Sequence, residues 1–281
     1  AMTIFDLTQT YNGPLQAVVL DWAGTVVDYG CIGPAAVFVR AFAEFDIIIT
    51  VAEARQFMGL AKRDHVRAIC ALDTVQRQWR QQHGHLPDEQ AVAAVYEITE
   101  PMMISAIENH CELIPGAKNA VAGWRRRGLR IGSTTGYTAP MMAILRQKAL
   151  EQGFTPDAVA CASDVPAGRP YPWMAYLNAI RLQIHPLHAC VKVGDTVSDI
   201  QEGLNAGMWT IGLTQSGNEL GLSLSEVEAL PESHLSEQLS TIEARYRKAG
   251  AHYVARGIWA CDPIINDIEA RLRGGDHPLC Q

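Results

Sequence analysis

Six polar residues that follow apolar runs are the first candidates for chemistry in this chain. Asp21 ends the run LQAVVL, Thr134 and Thr135 follow LRIGS, Arg169 lies beyond AVACA, and Asp195 and Asp199 follow CVKV. In open α/β sheets a ligand sits at the carboxyl ends of the strands, so residues in these places line the expected site. Carboxylates hold a hard cation such as Mg²⁺, while hydroxyls, backbone N–H groups and a guanidinium hold phosphoryl oxygens. Phosphoryl chemistry beside Mg²⁺ is therefore expected. Each aspartate or threonine alone also has a plain structural reading, because both residue types favour helix caps.

The elements that must position these residues follow from periodicity. Five short apolar runs at residues 15–20, 129–133, 158–162, 190–193 and 209–213 read as buried parallel strands. Helical patterns alternate with them at 116–127 (after Pro115, stopped by Gly128), 140–152, 172–183 and 197–206. This alternation predicts βαβ units and an α/β, doubly wound, Rossmann-like parallel sheet. Between the first two strands, residues 29–115 far exceed the dozen or so residues a crossover needs. That segment has no strand pattern, only helical ones at 34–45, 62–72, 74–82 and 88–109, the last interrupted at Pro101, with a capping box from Thr50 to Glu53. The organisation expected is an α/β core over 1–29 and 110–281 with an inserted helical domain over 30–109. Residues 29–33 and 112–116 would be its hinges. The tail predicts helices at 223–230, 234–248 and 263–273 and an edge strand at 252–255; the role of residues beyond Gly257 is unassigned.

Composition narrows the ligand. The 281 residues are 48% hydrophobic and 19% charged, and 23 Lys+Arg against 30 Asp+Glu give a net charge of −7. An acidic chain with a pI near 5.7 argues against nucleic acid or an anionic membrane, both of which select basic surfaces. The first Lys or Arg is Arg40, so no secretory leader is expected. No uncharged apolar run reaches the roughly 18 residues of a membrane span. Seven scattered cysteines without a C-x-x-C read as reduced thiols, and a cytoplasmic enzyme with a small-molecule substrate is expected. Arg125 to Arg127 complement a helix C-terminus rather than forming a nucleic-acid patch. His83 and His85 read as loop residues, and no G-x-G-x-x-G follows the first strand.

Taken together and in order, DWAGT (21–25), GSTTGYT (132–138), GRPYP (168–172) and VGDTVSD (193–199) resemble the four motifs of the haloacid dehalogenase superfamily. That resemblance implies a nucleophilic Asp21, a hydroxyl from Thr135, a basic Arg169 and metal-holding acids Asp195 and Asp199. It also places a cap domain where the helical insertion falls. One departure is conspicuous. Most phosphatases of the superfamily carry a second Asp two residues after the nucleophile as general acid, and this chain has Ala23 there.

The insertion contains a group that can take its place. Lys62 and His65 sit at i and i+3 of a predicted helix, on one face. By composition such a lysine is a solvated surface charge and such a histidine is packing. A lysine that is desolvated or beside other cations, however, has a lowered pKa and attacks carbonyls. DYGC (28–31), MGL (58–60), DHVRA (64–68) and DVPAGRPYPWM (164–174) are together similar to the phosphonoacetaldehyde hydrolase, or phosphonatase, family. In that family the position matching Lys62 forms a Schiff base.

The resemblance implies hydrolysis of 2-phosphonoacetaldehyde to acetaldehyde and phosphate. Lys62 forms an imine, Asp21 takes the phosphoryl group, and Mg²⁺ is held by Asp21, Asp195 and the backbone carbonyl of Ala23. Asp199 stands behind, orienting water. Thr135, Gly136 and Arg169 clamp the phosphonate, the last bidentately. His65 is a candidate proton shuttle, and Met58, Cys31 and Tyr137 are candidate pocket contacts; each also has an ordinary packing reading. The family also implies a homodimer packed through the cap. Two rival readings stay open: a phosphomonoesterase or mutase of the same superfamily, which would turn over phosphate esters despite Ala23, and a non-catalytic phosphate-binding module.

Overall fold

The computed structural model describes residues 11–278, so Cys280 lies outside the described residues. Six strands form one parallel sheet in the order β3-β2-β1-β4-β5-β6. They are β1 (Ala17–Leu20), β2 (Arg130–Thr135), β3 (Ala158–Cys161), β4 (Cys190–Gly194), β5 (Trp209–Leu213) and β6 (Tyr253–Ala255). β1 is central: Ala17 pairs with Arg130 on one side and with Cys190 on the other. All four of its residues are buried, as a strand covered on both faces requires. Val18 and Leu20 pack into the larger apolar cluster, while Ala17 and Val19 join a smaller cluster on the opposite face. The expected edge strand in the tail is β6, parallel to β5.

Between β1 and β2 run α1 (Ile32–Ala43), α2 (Val51–Arg55), α3 (Lys62–Cys70), α4 (Asp73–His83) and α5 (Glu89–Asn109), with α6 (Ala117–Arg126) leading into β2. The capping box predicted at Thr50 and Glu53 is formed at the start of α2. α5 corrects an expectation. The helix runs unbroken through Pro101. Its buried stripe of Val92, Val95, Thr99, Met103 and Ile107 packs into the main apolar cluster, while Pro101 is exposed. The hydrogen bond that proline removes therefore falls on the solvent side, and burial of the other side carries the helix across it.

The insertion leaves and returns through two chains that hydrogen-bond to each other. Asp28 N–H donates to Glu112 O at 3.1 Å and Ile114 N–H to Val26 O at 2.8 Å. Asp28 then accepts from the N–H groups of Ile32 and Gly33 through its two carboxylate oxygens, at 3.0 and 3.2 Å, satisfying donors at the start of α1. Burial pushes the Asp28 carboxyl up to about 6, although the nearby His110, these N–H bonds and Arg55 work against the rise.

The remaining helices are α7 (Ala139–Glu151), α8 (Trp173–Leu182), α9 (Val197–Asn205), α10 (Leu224–Ala229), α11 (Glu232–Lys248) and α12 (Asp262–Arg273). Among the described residues no helix is long and apolar enough to cross a membrane. The six described cysteines are unbonded.

Candidate functional site

The carboxyl ends of β1, β2 and β4 converge, and each apolar strand hands over to a polar residue where its pairing ends. Asp21 keeps one further backbone link, donating its N–H to Val193 O at 2.9 Å. Its carboxylate comes close to those of Asp195 and Asp199, with one oxygen of each lying within 4.8 Å of the others. All three are buried. Asp195 is held by Thr25 Oγ1 at 3.3 Å on one oxygen and by the N–H of Asn218 at 2.7 Å on the other. Burial together with Asp21 and Asp199 pushes its carboxyl well above the usual range. Burial and Asp199 push Asp21 up as well, against Arg169 and Lys192.

Three crowded acids that resist ionising together make a fitting place for a divalent cation. Mg²⁺ takes oxygen ligands, and its charge would relieve this repulsion. Asp199 differs from its neighbours. Burial alone would raise its pKa, but Arg169, Lys192 and Thr196 hold it below the usual value. It is an ionised and paired carboxylate, with its Oδ2 accepting from Thr196 Oγ1 at 2.6 Å.

Arg169 reaches this cluster from the loop between β3 and α8, almost fully buried. Its Nη2 donates to Asp21 Oδ1 at 2.7 Å and to the Thr134 carbonyl at 2.8 Å, and its Nε donates to Glu202 Oε2 at 2.9 Å. Asp199 Oδ1 is 3.0 Å from Nη2. The bidentate grip expected for a substrate is thus turned toward the protein. Nη1 is the arm left for a ligand, with only a 3.4 Å bond to Gly59 O.

Two members of this network escaped the sequence reading. Lys192 lies within β4 and Glu202 on α9, and both are buried. Lys192 Nζ lies 2.8 Å from Asp199 Oδ1 and 3.2 Å from Glu202 Oε2, and it donates to Thr134 Oγ1 at 2.7 Å. A buried charge is tolerated only with partners of this kind. The signal was a lysine between two valines in a strand whose two faces are both covered. The hydroxyl pair also divides its work: Thr134 points into the charge network, while Thr135 accepts the Tyr137 N–H at 3.1 Å and lines the cavity.

That cavity brings the two halves of the prediction together. Asp21, Ala23, Thr135, Gly136, Tyr137, Arg169 and Asp195 from the sheet side face Cys31, Met58 and Lys62 from the insertion. It encloses only about 20 Å³, room for about one water. The fit is close: a Cβ on Gly136 would stand 2.2 Å from Leu60 O, and one on Gly59, at φ +89°, would stand 2.2 Å from Ser198 Oγ.

Lys62 opens α3 and is 5% exposed. Its Nζ lies 4.7 Å from the centre of the Tyr137 ring and 5.7 Å from that of Phe38. Burial lowers its pKa to about 8, with the carboxylates of Asp21 and Asp195 pulling the other way. The ammonium and the free amine are both accessible near neutral pH. Burial drives the Cys31 thiol and the Tyr137 hydroxyl the other way, well above their ordinary values, so both are neutral.

His65 is fully buried, its ring 3.9 Å from that of Phe38. Its Nε2 lies 2.7 Å from Ala54 O, a pure acceptor, which assigns the proton to Nε2. Nδ1 has no partner among the described residues. Burial, with Lys62 adding to it, lowers the pKa of His65 to about 3. The ring is a neutral acceptor and not a store of protons.

Comparison with known proteins matches residues 15–207 to the model of haloacid dehalogenase-like hydrolases. The chain belongs to the haloacid dehalogenase-like hydrolase family. It is 51% identical over 277 residues to a phosphonoacetaldehyde hydrolase of Nitratidesulfovibrio vulgaris, covering 99% of each chain. It is 44% identical over 255 residues to a phosphonoacetaldehyde hydrolase of Bacillus cereus, covering 91% of this chain and 97% of the relative. Among solved structures, this hydrolase resembles a phosphonoacetaldehyde hydrolase-like protein from Oleispira antarctica with a TM-score of 0.93 and 36% identity, covering 95% of this chain and 97% of the other. The parallel sheet and helical insertion are thus those of a hydrolase fold, as the motif order implied.

Proposed function

We propose that this hydrolase cleaves the C–P bond of 2-phosphonoacetaldehyde, releasing acetaldehyde and phosphate. One observation carries the reading: the insertion places a buried lysine, its pKa lowered to about 8, in the same cavity as Asp21. The names of the relatives support the same substrate. Attack on phosphorus alone would force the departing electrons onto carbon. Lys62 removes that obstacle. Its free amine adds to the aldehyde, water leaves, and the resulting protonated imine accepts the C–P electron pair as a neutral enamine.

Asp21 Oδ attacks phosphorus as the C–P bond breaks, giving an aspartyl phosphate that water then hydrolyses. Protonation of the enamine at carbon and hydrolysis of the imine release acetaldehyde and restore Lys62. No general acid is needed for an alkoxide, which fits Ala23 at the place where phosphatases of the superfamily carry their acid. Bound Mg²⁺, held by Asp21, Asp195 and the Ala23 carbonyl with Asp199 behind them, supplies charge neutralisation on the phosphoryl oxygens. Arg169 Nη1, Thr135 and the Gly136 backbone hold the phosphonate. His65, expected as a proton shuttle, is held neutral with its pKa lowered to about 3, so its bare Nδ1 would act as a hydrogen-bond acceptor and not as a proton carrier, and Met58, Cys31 and Tyr137 shape the aldehyde end.

The insertion, residues 30–109, acts as a cap over the core. The resemblance to the phosphonoacetaldehyde hydrolases supports a homodimer packed through this cap. The unbonded cysteines support a reducing cytoplasm. Turnover is tested by coupling acetaldehyde release to alcohol dehydrogenase. Borohydride added with substrate should trap an adduct on Lys62, and Lys62→Arg should lose at least about 10³-fold in kcat/KM. Near wild-type turnover by Lys62→Arg would refute the imine. Hydrolysis of phosphate esters in its place would return the chain to the phosphomonoesterase reading.

A further inference from the structure

Outside the cavity the insertion meets the core through several polar contacts, among them Thr138 Oγ1 donating to Glu100 Oε1 at 3.3 Å, and the one that reaches the site is at Arg55. Arg55, at the end of α2, donates from Nη1 to Gly30 O at 2.8 Å and to Asn218 Oδ1 at 3.1 Å, and from Nη2 to Gly221 O at 3.1 Å. Asn218 answers by donating Nδ2 to Arg55 O at 3.1 Å. The pair is therefore joined in both directions. Asn218 is 2% exposed, and its backbone N–H is the donor that holds Asp195 Oδ2 at 2.7 Å. One residue grips the insertion with its side chain and a carboxylate of the site with its backbone.

The loop around Asn218 is fitted on both sides. A Cβ on Gly217 would stand 2.2 Å from the Cβ of Asp195, and one on Gly221, at φ +69°, would stand 2.8 Å from the Arg55 guanidinium. Motion of either neighbour is thus felt by the loop. The cavity, at about 20 Å³, is too small to admit a phosphonate without the insertion moving away, and that motion withdraws Arg55. The acceptors of Arg55 are carbonyl and amide oxygens, so release separates no ion pair.

We propose that Arg55 and Asn218 form a catch that couples seating of the insertion to the orientation of Asp195. The inference rests on the reading that the insertion caps a Mg²⁺ site. Both are positioning residues, since neither lines the cavity. Withdrawal of Arg55 frees the loop, and Asp195 then loses the fixed N–H that aims one of its oxygens. Closure and completion of the carboxylate cluster become one event.

The test uses the full chain with Arg55→Gln, Arg55→Lys, Asn218→Ala and the Arg55→Gln/Asn218→Ala double variant. Asn218→Ser is the substitute if Asn218→Ala does not fold. Arg55→Gln and Asn218→Ala should each lower kcat/KM about tenfold, the scale of lost partners behind metal ligands. The double variant should be no worse than the poorer single one, because both break the same link. Arg55→Lys, which keeps the charge but not the fork, should fall between. Without substrate, Mg²⁺ affinity by calorimetry should weaken about threefold or more, and amide exchange over residues 216–221 should quicken while the rest of the core is unchanged. Additive losses, or wild-type Mg²⁺ affinity and exchange in Arg55→Gln, overturn the catch. Absence of acetaldehyde release from the wild type would sink the substrate reading, and calorimetry and exchange decide the catch without it.

Discussion

Among the described residues Lys62 has no carboxylate within ion-pair distance and stands over the rings of Tyr137 and Phe38, so its charge is poorly compensated. This cost has a definite pH signature. Its pKa is lowered from 10.5 to about 8, so below about 8 the lysine is protonated in both folded and unfolded chains and the full penalty is present. Between these values the folded chain gives up its proton first and stability rises with pH; above 10.5 the penalty is gone. Lys62→Met should therefore be inactive yet more stable at pH 7 by about 3 kcal/mol, with the gain vanishing at high pH. Urea unfolding at several pH values reads this directly, and a gain independent of pH would contradict it. In the wild type kcat/KM should rise toward about 8 as the free amine appears.

Much of the site was legible at this scale because an apolar run that stops on Asp is a strong local signal, as at Asp21 and Asp195. Lys192 and Glu202 were not legible, since burial of a lysine between valines depends on what covers the strand. Arg55 was likewise hidden: in VAEARQF it looks like any surface helix residue, and its partners lie on a loop far along the chain.

At the scale of elements, the chemistry depends on how closely two loops approach. The loop after β2 and the turn between α2 and α3 meet at Gly136 and Leu60, where a Cβ would stand 2.2 Å from a backbone oxygen. Backbone cannot swing aside as a flexible side chain can. Gly136→Ala should hold the insertion off the sheet and lower kcat/KM about 10²-fold, a cost typical of misplacing reacting groups by about 1 Å. Because the clash is relieved by opening, the melting temperature should change little. A Gly136→Ala protein of normal activity would show that the contact is not made during turnover. The strands and the helical insertion were readable from period and punctuation. The continuity of α5 was not, because a proline's position relative to the buried stripe is known only once the neighbours are placed.

For the molecule as a whole, the net charge of −7 opposes an anionic substrate, so binding must be local. Inside the fold Asp21, Asp199 and Glu202 pair with the two basic residues Arg169 and Lys192, and a fourth acid, Asp195, adjoins Asp21 and Asp199 without an ion pair to either base among the described residues. The imbalance favours a divalent ion. Adding Mg²⁺ to chelator-stripped protein should raise its melting temperature, with a gain of about 2.7 kcal/mol at a hundred times the dissociation constant. Asp195→Asn should abolish most of that shift, and chelation should abolish turnover. A melting curve indifferent to Mg²⁺ would remove the cation from the site.

The central place of β1 also governs how the chain is made. Its neighbours on the two sides, β2 and β4, are Arg130–Thr135 and Cys190–Gly194. The helices between β1 and β2 pack chiefly on one another, α1 and α3 against α5, and can condense before β2 is made, whereas β1 pairs only across still longer separations, which form slowly. On the ribosome the segment AVVL therefore waits with both edges open until β2 emerges, and with one edge still open until β4 follows, when more than half of the chain has been made. Chains cut short before β4 keep that second edge open permanently, and aggregation is the expected fate of such fragments.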